Sequence, residues 1–366
     1  MRYSFKPYIE PNKSNFEKLF DVFKELILYT SGDVEEALDW LDELNKQYNI
    51  SDPDYTIDDF VDELKERGFL REEIETPGGT PTRSISEKTE RLLRRSAMNK
   101  IFGKLKKSRA GNHKTSFNGS STDESDGTRP YQFGDAIEHI DMQQSMRNAA
   151  VRGGLDNPGL LPEDLEVRQS HHQTSVSTVL MIDISHSMIL YGEDRITPAK
   201  RVALALSELI TTRYPKDSLD IIVFGNDAWP VPLKELPYLR VGPYHTNTVA
   251  GLQLAMNILG RKRTGNKQIM MITDGKPSCI LEPDGSYYKN SMGLDDYIVN
   301  KCLHKAAECK KLGIPITTFM IAQDPYLMQF IDSFTSVNGG KALFTGLDGL
   351  GEIVFHDYEK NRKNKL

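Results

Sequence analysis

The chain has 366 residues, 38% hydrophobic and 27% charged, with a formal net charge of −6. That length exceeds what one compact core usually fills, so two structural units joined by a linker are expected. The composition is that of a soluble globular protein, which excludes a disordered or membrane-embedded chain, and the net charge favours no partner by itself.

The first residues, MRYSFKPYIEPNKSNFEK, lack the apolar stretch of a secretory signal. No later run approaches the roughly 20 apolar residues of a membrane span, so a cytoplasmic protein is expected. Three cysteines are too few and too oddly numbered for a disulfide framework; Cys302 and Cys309 fall two turns apart on an expected helix and read as buried or idle thiols.

Phe16, Leu19, Phe20, Phe23, Leu26 and Ile27 recur at helical spacing, and Val34, Leu38 and Leu41 continue the pattern after Ser31-Gly32-Asp33, which predicts a helical pair. A third helix is expected over TIDDFVDELKERG (56–68). A short hairpin follows, built from FLREEIE, the turn signal TPGG and TPTRSIS, and then a further helix from Ser86. This order resembles a winged helix, so residues 1–110 are assigned to a helical, winged-helix-like N-terminal unit. Residues 83–114 are strongly basic, with Arg91, Arg94, Arg95, Lys100, Lys104, Lys106, Lys107 and Arg109, whereas 33–75 lean as far toward acid. The stretch GNHKTSFNGSSTDESDGTRP (111–130) is too poor in apolar residues to pack and is expected to be a linker or loop.

After a lead-in, YQFGDAIEHIDMQQSMRNAAV, apolar runs of strand length alternate with helical patterns through the final domain, 131–366. The strands are STVLMIDI (177–184), LDIIVFG (219–225), KQIMMITDG (267–275), PITTFMIA (315–322) and KALFTG (341–346). Between the first two, Ala199, Val202, Ala203, Leu206, Leu209 and Ile210 mark an apolar helical face. Strands apolar on both faces and joined through helices indicate an open α/β fold, a mainly parallel sheet with helices on both sides.

In such a sheet ligands collect beyond the carboxyl ends of the strands. Asp183, Ser185 and Ser187 follow the first strand at alternate positions, Thr246 stands in YHTNT where a helix starts, and Asp274 ends a central strand in ITDGKP. Two carboxylates with three hydroxyls suit a hard divalent cation such as Mg²⁺, which prefers oxygen and keeps coordination positions for water or an incoming group.

DISHS resembles the DxSxS element of the von Willebrand factor A (VWA) domain, Thr246 matches its second-loop threonine, and TDG matches its third-loop aspartate. Together, over about 175–345 and in the family's order, they resemble a metal-ion-dependent adhesion site. The resemblance implies a VWA, Rossmann-like fold and a Mg²⁺ site, with Mn²⁺ or Ca²⁺ as alternatives, held by Asp183, Ser185, Ser187, Thr246 and Asp274. It implies that the serines and the threonine contact the ion, that the aspartates act directly or through water, and that a partner protein's carboxylate completes the shell. The chain departs from the pattern at His186 and His245, which stand where glycine is common. Both are expected to pack the loops or line the rim, since imidazole is a poor ligand for Mg²⁺.

Upstream, SISEKTERLLRRSAMNKIFGKLKKSRAGNHKT and RPYQFGD, together with the C-terminal FHDYEKNRKNKL, resemble bacterial VWA proteins related to the magnesium-chelatase D subunit. Those proteins work beside AAA+ ATPases of the MoxR and chelatase I type. The resemblance implies a non-enzymatic adaptor that grips a partner acid through its ion and couples such an ATPase to its target. Two other readings compete. A metal-dependent hydrolase or phosphatase would use Asp183 or Ser185, yet no second aspartate stands at 185, no glycine-flanked nucleophile elbow surrounds the serine, and no P-loop appears. Nucleic-acid binding through 83–114 would need a cationic groove helix, whereas the third helix carries Asp58, Asp59, Asp62, Glu63 and Glu66. No nucleic-acid partner is therefore expected.

Overall fold

The computed structural model describes residues 13–73, 82–102, 124–132, 135, 137–154, 159–170, 175–192, 194–274, 276–290, 292–321, 325–344, 346 and 349–363. They fall into two compact units, one drawn from 1–106 and 175–366 and the other from 107–174.

The chain opens with α1 (Asn15–Tyr29), α2 (Val34–Tyr48) and α3 (Ile57–Glu66). Ser14 and Glu17 form a reciprocal capping box at the start of α1, Asp33 caps α2, and Thr56 and Asp59 repeat the box at α3. Phe16, Phe20, Phe23, Phe60 and Phe69 pack ring against ring between these helices. The antiparallel pair β1 (Leu70–Glu73) and β2 (Thr82–Ile85) follows, with Leu70 opposite Ile85, and leads into α4 (Glu87–Phe102). The TPGG turn signal lies outside the described residues.

In the second unit β3 (Glu124–Pro130) pairs antiparallel with β4 (Glu166–Ser170), and α5 (Met142–Gly153) lies between them in sequence. Arg152 meets the Asp164 carboxylate through Nε at 3.0 Å and Nη2 at 2.8 Å. This arrangement differs from the linker expected over 111–130 and from a final domain beginning at 131. β3, ESDGTRP, has no apolar side chain but that of Pro130 and no alternation to announce a strand; main-chain pairing with β4, whose Val167 is buried, makes it one. The rest of that stretch, 111–123, lies outside the described residues.

The remainder builds an α/β layer from β5 (Val176–Asp183), α6 (Ile196–Arg213), β6 (Ser218–Phe224), β7 (Ala228–Pro230), α7 (Thr248–Gly260), β8 (Asn266–Thr273), β9 (Cys279–Leu281), β10 (Tyr287–Lys289), α8 (Asp296–Lys311), β11 (Ile316–Met320), α9 (Pro325–Asn338), β12 (Lys341–Phe344) and α10 (Leu350–Lys363). Among the described residues the main sheet runs β12-β11-β8-β5-β6-β7, parallel except for the edge strand β7. Every residue of β5 is buried, as befits a central strand covered on both faces. The chain leaves β5 toward β6 on one side, while β8 on the other side leads away to β11. The crevice between the carboxyl ends of β5 and β8 is therefore the topological switch point.

α6 does more than cover the sheet. Thirteen of its eighteen residues are buried, too many for one apolar stripe, because α1 and α4 pack on its other side. Lys200, fully buried, donates from Nζ to the Leu28 carbonyl at the end of α1 (2.9 Å) and to Ser31 Oγ (3.1 Å). Glu208 faces Arg94 Nε at 3.5 Å and Arg95 Nε at 3.6 Å on α4. The N-terminal helices thus belong to the same compact unit as the sheet, where composition divides them at a linker. Part of the basic stretch is matched inside this unit, since Arg83 also meets Glu35 and Lys100 meets Glu25. Cys279, Cys302 and Cys309 are buried and free, and burial pushes the thiols of Cys302 and Cys309 up to about 12. Among the described residues no helix is long and apolar enough to cross a membrane.

Candidate functional site

Asp183 is the last residue of β5, and Asp274 directly follows β8, the strand paired beside it. Both are buried: β5 and β8 are covered on both faces, and the loops beyond them fold over the strand ends. Asp183 Oδ1 accepts from the Ser185 backbone N–H at 2.8 Å, and its Oδ2 accepts from Thr273 Oγ1 at 2.6 Å. Ser185 Oγ lies 2.9 Å from Ser187 Oγ, and Ser187 Oγ donates to Asp274 Oδ1 at 2.8 Å. A hydroxyl has one proton, so Ser185 must be the donor to Ser187, and the chain of protons runs from Ser185 through Ser187 to Asp274. Four of the five sequence-derived residues thus share one hydrogen-bonded cluster.

The fifth is held beside them through its backbone. Thr246, only 3% exposed, donates its N–H to Ser278 Oγ and accepts at its carbonyl from Ser278 N–H. The cap of α7 is the next residue: Asn247 Oδ1 accepts from the Ala250 N–H, leaving Thr246 one position outside the helix. Further main-chain bonds lace the three loops together, His186 N–H to Tyr244 O at 3.0 Å, Gly242 N–H to Ile184 O at 3.3 Å and Asn247 N–H to Gly225 O at 2.8 Å. α7 is seated closely under this lacing because Gly251 has no side chain; a Cβ there would stand 2.6 Å from Met181 Cε on β5.

Burial pushes the Asp183 carboxyl up to about 7, and the negative charge of Asp274 adds to the shift against the lowering effect of the Ser185 and Thr273 bonds. His186 is exposed at the rim; His245 is half-buried, and burial, then Lys289, push its imidazole below the ordinary range. One participant carries no signature in the sequence. Arg195 Nη1 donates to Asp274 Oδ2 at 2.5 Å, so both oxygens of that carboxylate are engaged.

The donor set fits a hard dication. Its candidate ligands are carboxylate and hydroxyl oxygens alone, the preference of Mg²⁺ rather than of zinc or copper. Among the described residues no group of three or more His, Cys, Asp or Glu side chains comes together.

Comparison with known proteins agrees with this fold. The profile of the Rv0959-like protein vWA domain matches residues 176–359, and that of the Rv0959-like protein third domain matches 123–170, which falls within the second compact unit. The chain is 31% identical over 306 residues to uncharacterized protein Rv0959 of Mycobacterium tuberculosis and, to the same degree, to uncharacterized protein Mb0984 of Mycobacterium bovis. Each match covers 81% of this chain and 45% of the relative, so the chain spans less than half the length of those proteins. Among solved structures, the PilB minor pilin from Streptococcus sanguinis is similar at 16% identity and a TM-score of 0.41, over 54% of this chain and 64% of the pilin. BatB from Bacteroides thetaiotaomicron is similar at 16% identity and a TM-score of 0.38, over 51% and 98% of the respective chains.

Proposed function

Because the chain belongs to the Rv0959-like family of vWA-domain proteins, we propose that it is a metal-dependent protein-binding module and not an enzyme. In this reading Asp183, Ser185, Ser187, Thr246 and Asp274 hold Mg²⁺, and a carboxylate of a partner protein completes the shell. The observation that carries the proposal is the continuous bonding of Asp183, Ser185, Ser187 and Asp274 at the ends of two adjacent strands. When bound, the ion supplies a positive centre that attracts an incoming carboxylate. The chain's own groups do the positioning. Asp183 is fixed by Ser185 N–H and Thr273, and Asp274 by Ser187 and Arg195, at the ends of adjacent strands. The laced loops hold the backbone of those groups in place, which lowers the ordering cost of association.

Ser185 Oγ is bonded to another hydroxyl, which cannot serve as its base, and this favours a binding role over acyl transfer. The partner we propose is an AAA+ ATPase of the MoxR or chelatase type, or the target it acts on, with this chain as adaptor. The test is capture of partners by the full chain, with Asp183→Ala and Thr246→Ala alongside. The expected result is a captured ATPase or client that is lost in EDTA and in both variants, while their circular dichroism spectra stay unchanged. Capture that persists equally in EDTA and in Asp183→Ala would rule the mechanism out.

A further inference from the structure

We propose that Arg195 is a resident cation of the oxygen cluster, holding Asp274 in competition with a divalent ion, so that the ion loads only as the guanidinium lets go. The inference rests on the metal-binding reading above and concerns how that site is regulated. Arg195 sits immediately before α6, and its backbone N–H donates to the Met188 carbonyl at 3.0 Å, which ties it to the loop that carries Ser185 and Ser187. Its side chain is 14% exposed and that of Asp274 is 0% exposed, so their 2.5 Å contact is shielded from water.

Two other arginine–aspartate pairs in the chain show what an ordinary structural pair looks like here. In Arg129–Asp135 and Arg152–Asp164 the carboxylate also accepts a backbone N–H, from Gln132 and Leu161, and the pair closes a local turn. Arg195–Asp274 spans 79 residues, and the second oxygen of Asp274 goes to Ser187 of the candidate site. The guanidinium therefore holds the same carboxylate that an ion in this cluster would use.

Charge makes the two cations mutually exclusive neighbours. With both carboxyls ionised, Asp183 and Asp274 offer two negative charges, and Arg195 cancels that of Asp274. A dication drawn to the cluster must overcome repulsion from a guanidinium bound to the same carboxylate, at a site where water screens little. A partner carboxylate adds a negative charge, and the oxygen it does not give to the ion can accept from the displaced guanidinium. Ion and acidic partner therefore strengthen each other's binding, as reciprocity requires.

The test is binding of Mn²⁺ alone to the full chain, followed by the loss of its free-ion EPR signal, in wild type, Arg195→Gln and Asp183→Asn. Arg195→Gln is expected to bind Mn²⁺ at least tenfold more tightly than wild type, and Asp183→Asn at least tenfold more weakly. A gain of less than threefold in Arg195→Gln, with binding still lost in Asp183→Asn, overturns the role of Arg195 and leaves the metal site standing. Binding that is absent in all three, or undiminished in Asp183→Asn, overturns both. If Arg195→Gln fails to fold, Arg195→Lys is measured in its place. The lysine keeps the charge but loses the planar fork, so a gain of about threefold is expected, and no gain overturns the inference.

Discussion

The seam between α6 and the N-terminal helices and the crevice above β5 and β8 both bury charge, in opposite ways. At the seam the charges are partnered: Glu208 faces two arginines, and Lys200 donates to the carbonyl end of α1, although burial pulls its amine down to about 8. In the crevice Arg195 pairs with Asp274 and leaves Asp183 without a cation, and burial, then the charge of Asp274, push the Asp183 carboxyl up to about 7. Matched burial is what a protein uses to fix two layers together. Unmatched burial of like charge is costly and is concentrated where a site needs a charge to be supplied from outside.

The comparison breaks first at Lys200. Lys200→Ala removes a long buried stem and the donor to Leu28 and Ser31, and a loss of about 4 kcal/mol is expected in urea unfolding, unaffected by Mg²⁺. Asp183→Asn acts in the opposite direction. The Asp183 carboxyl stands at 3.8 when unperturbed and about 7 in the folded chain, so its contribution to stability is intact below about pH 4 and is lost as pH rises through 7. In EDTA the asparagine variant is therefore expected to match wild type near pH 4 and to exceed it by on the order of 3 kcal/mol at pH 8, read from thermal melts. Glu208→Gln weakens the seam by about 1 kcal/mol, a loss that shrinks as salt rises. The smallest effect belongs to His245→Ala, which removes a rim side chain and is expected to leave Mn²⁺ affinity unchanged within about twofold by EPR.

The α/β layer was legible because STVLMIDI and KQIMMITDG are apolar on both faces and each ends in a polar group that a buried strand does not need. Asp183, Ser185, Ser187 and Asp274 stand out for that reason, and the structure joins them. Thr246 and Asn247 can each accept an amide proton where α7 starts, so sequence alone does not decide the cap; in the structure it is Asn247. Arg195 left no trace, because a cation at a helix start is unremarkable until a carboxylate 79 residues away is brought against it. The seam did leave one. Leu204 and Ala205 lie outside the apolar face read from α6 yet are buried, the mark of a helix covered all round. β3 could not have been seen, because its strand arises from a partner and not from its own side chains.

The lacing of the crevice loops runs mainly through peptide groups: His186 to Tyr244, Gly242 to Ile184, Asn247 to Gly225 and Ser278 to Thr246. Peptide groups are common to every residue type, so the exposed side chain at 186 can vary without loosening the framework beneath it. Such a surface can vary one substitution at a time while its inner oxygens stay put.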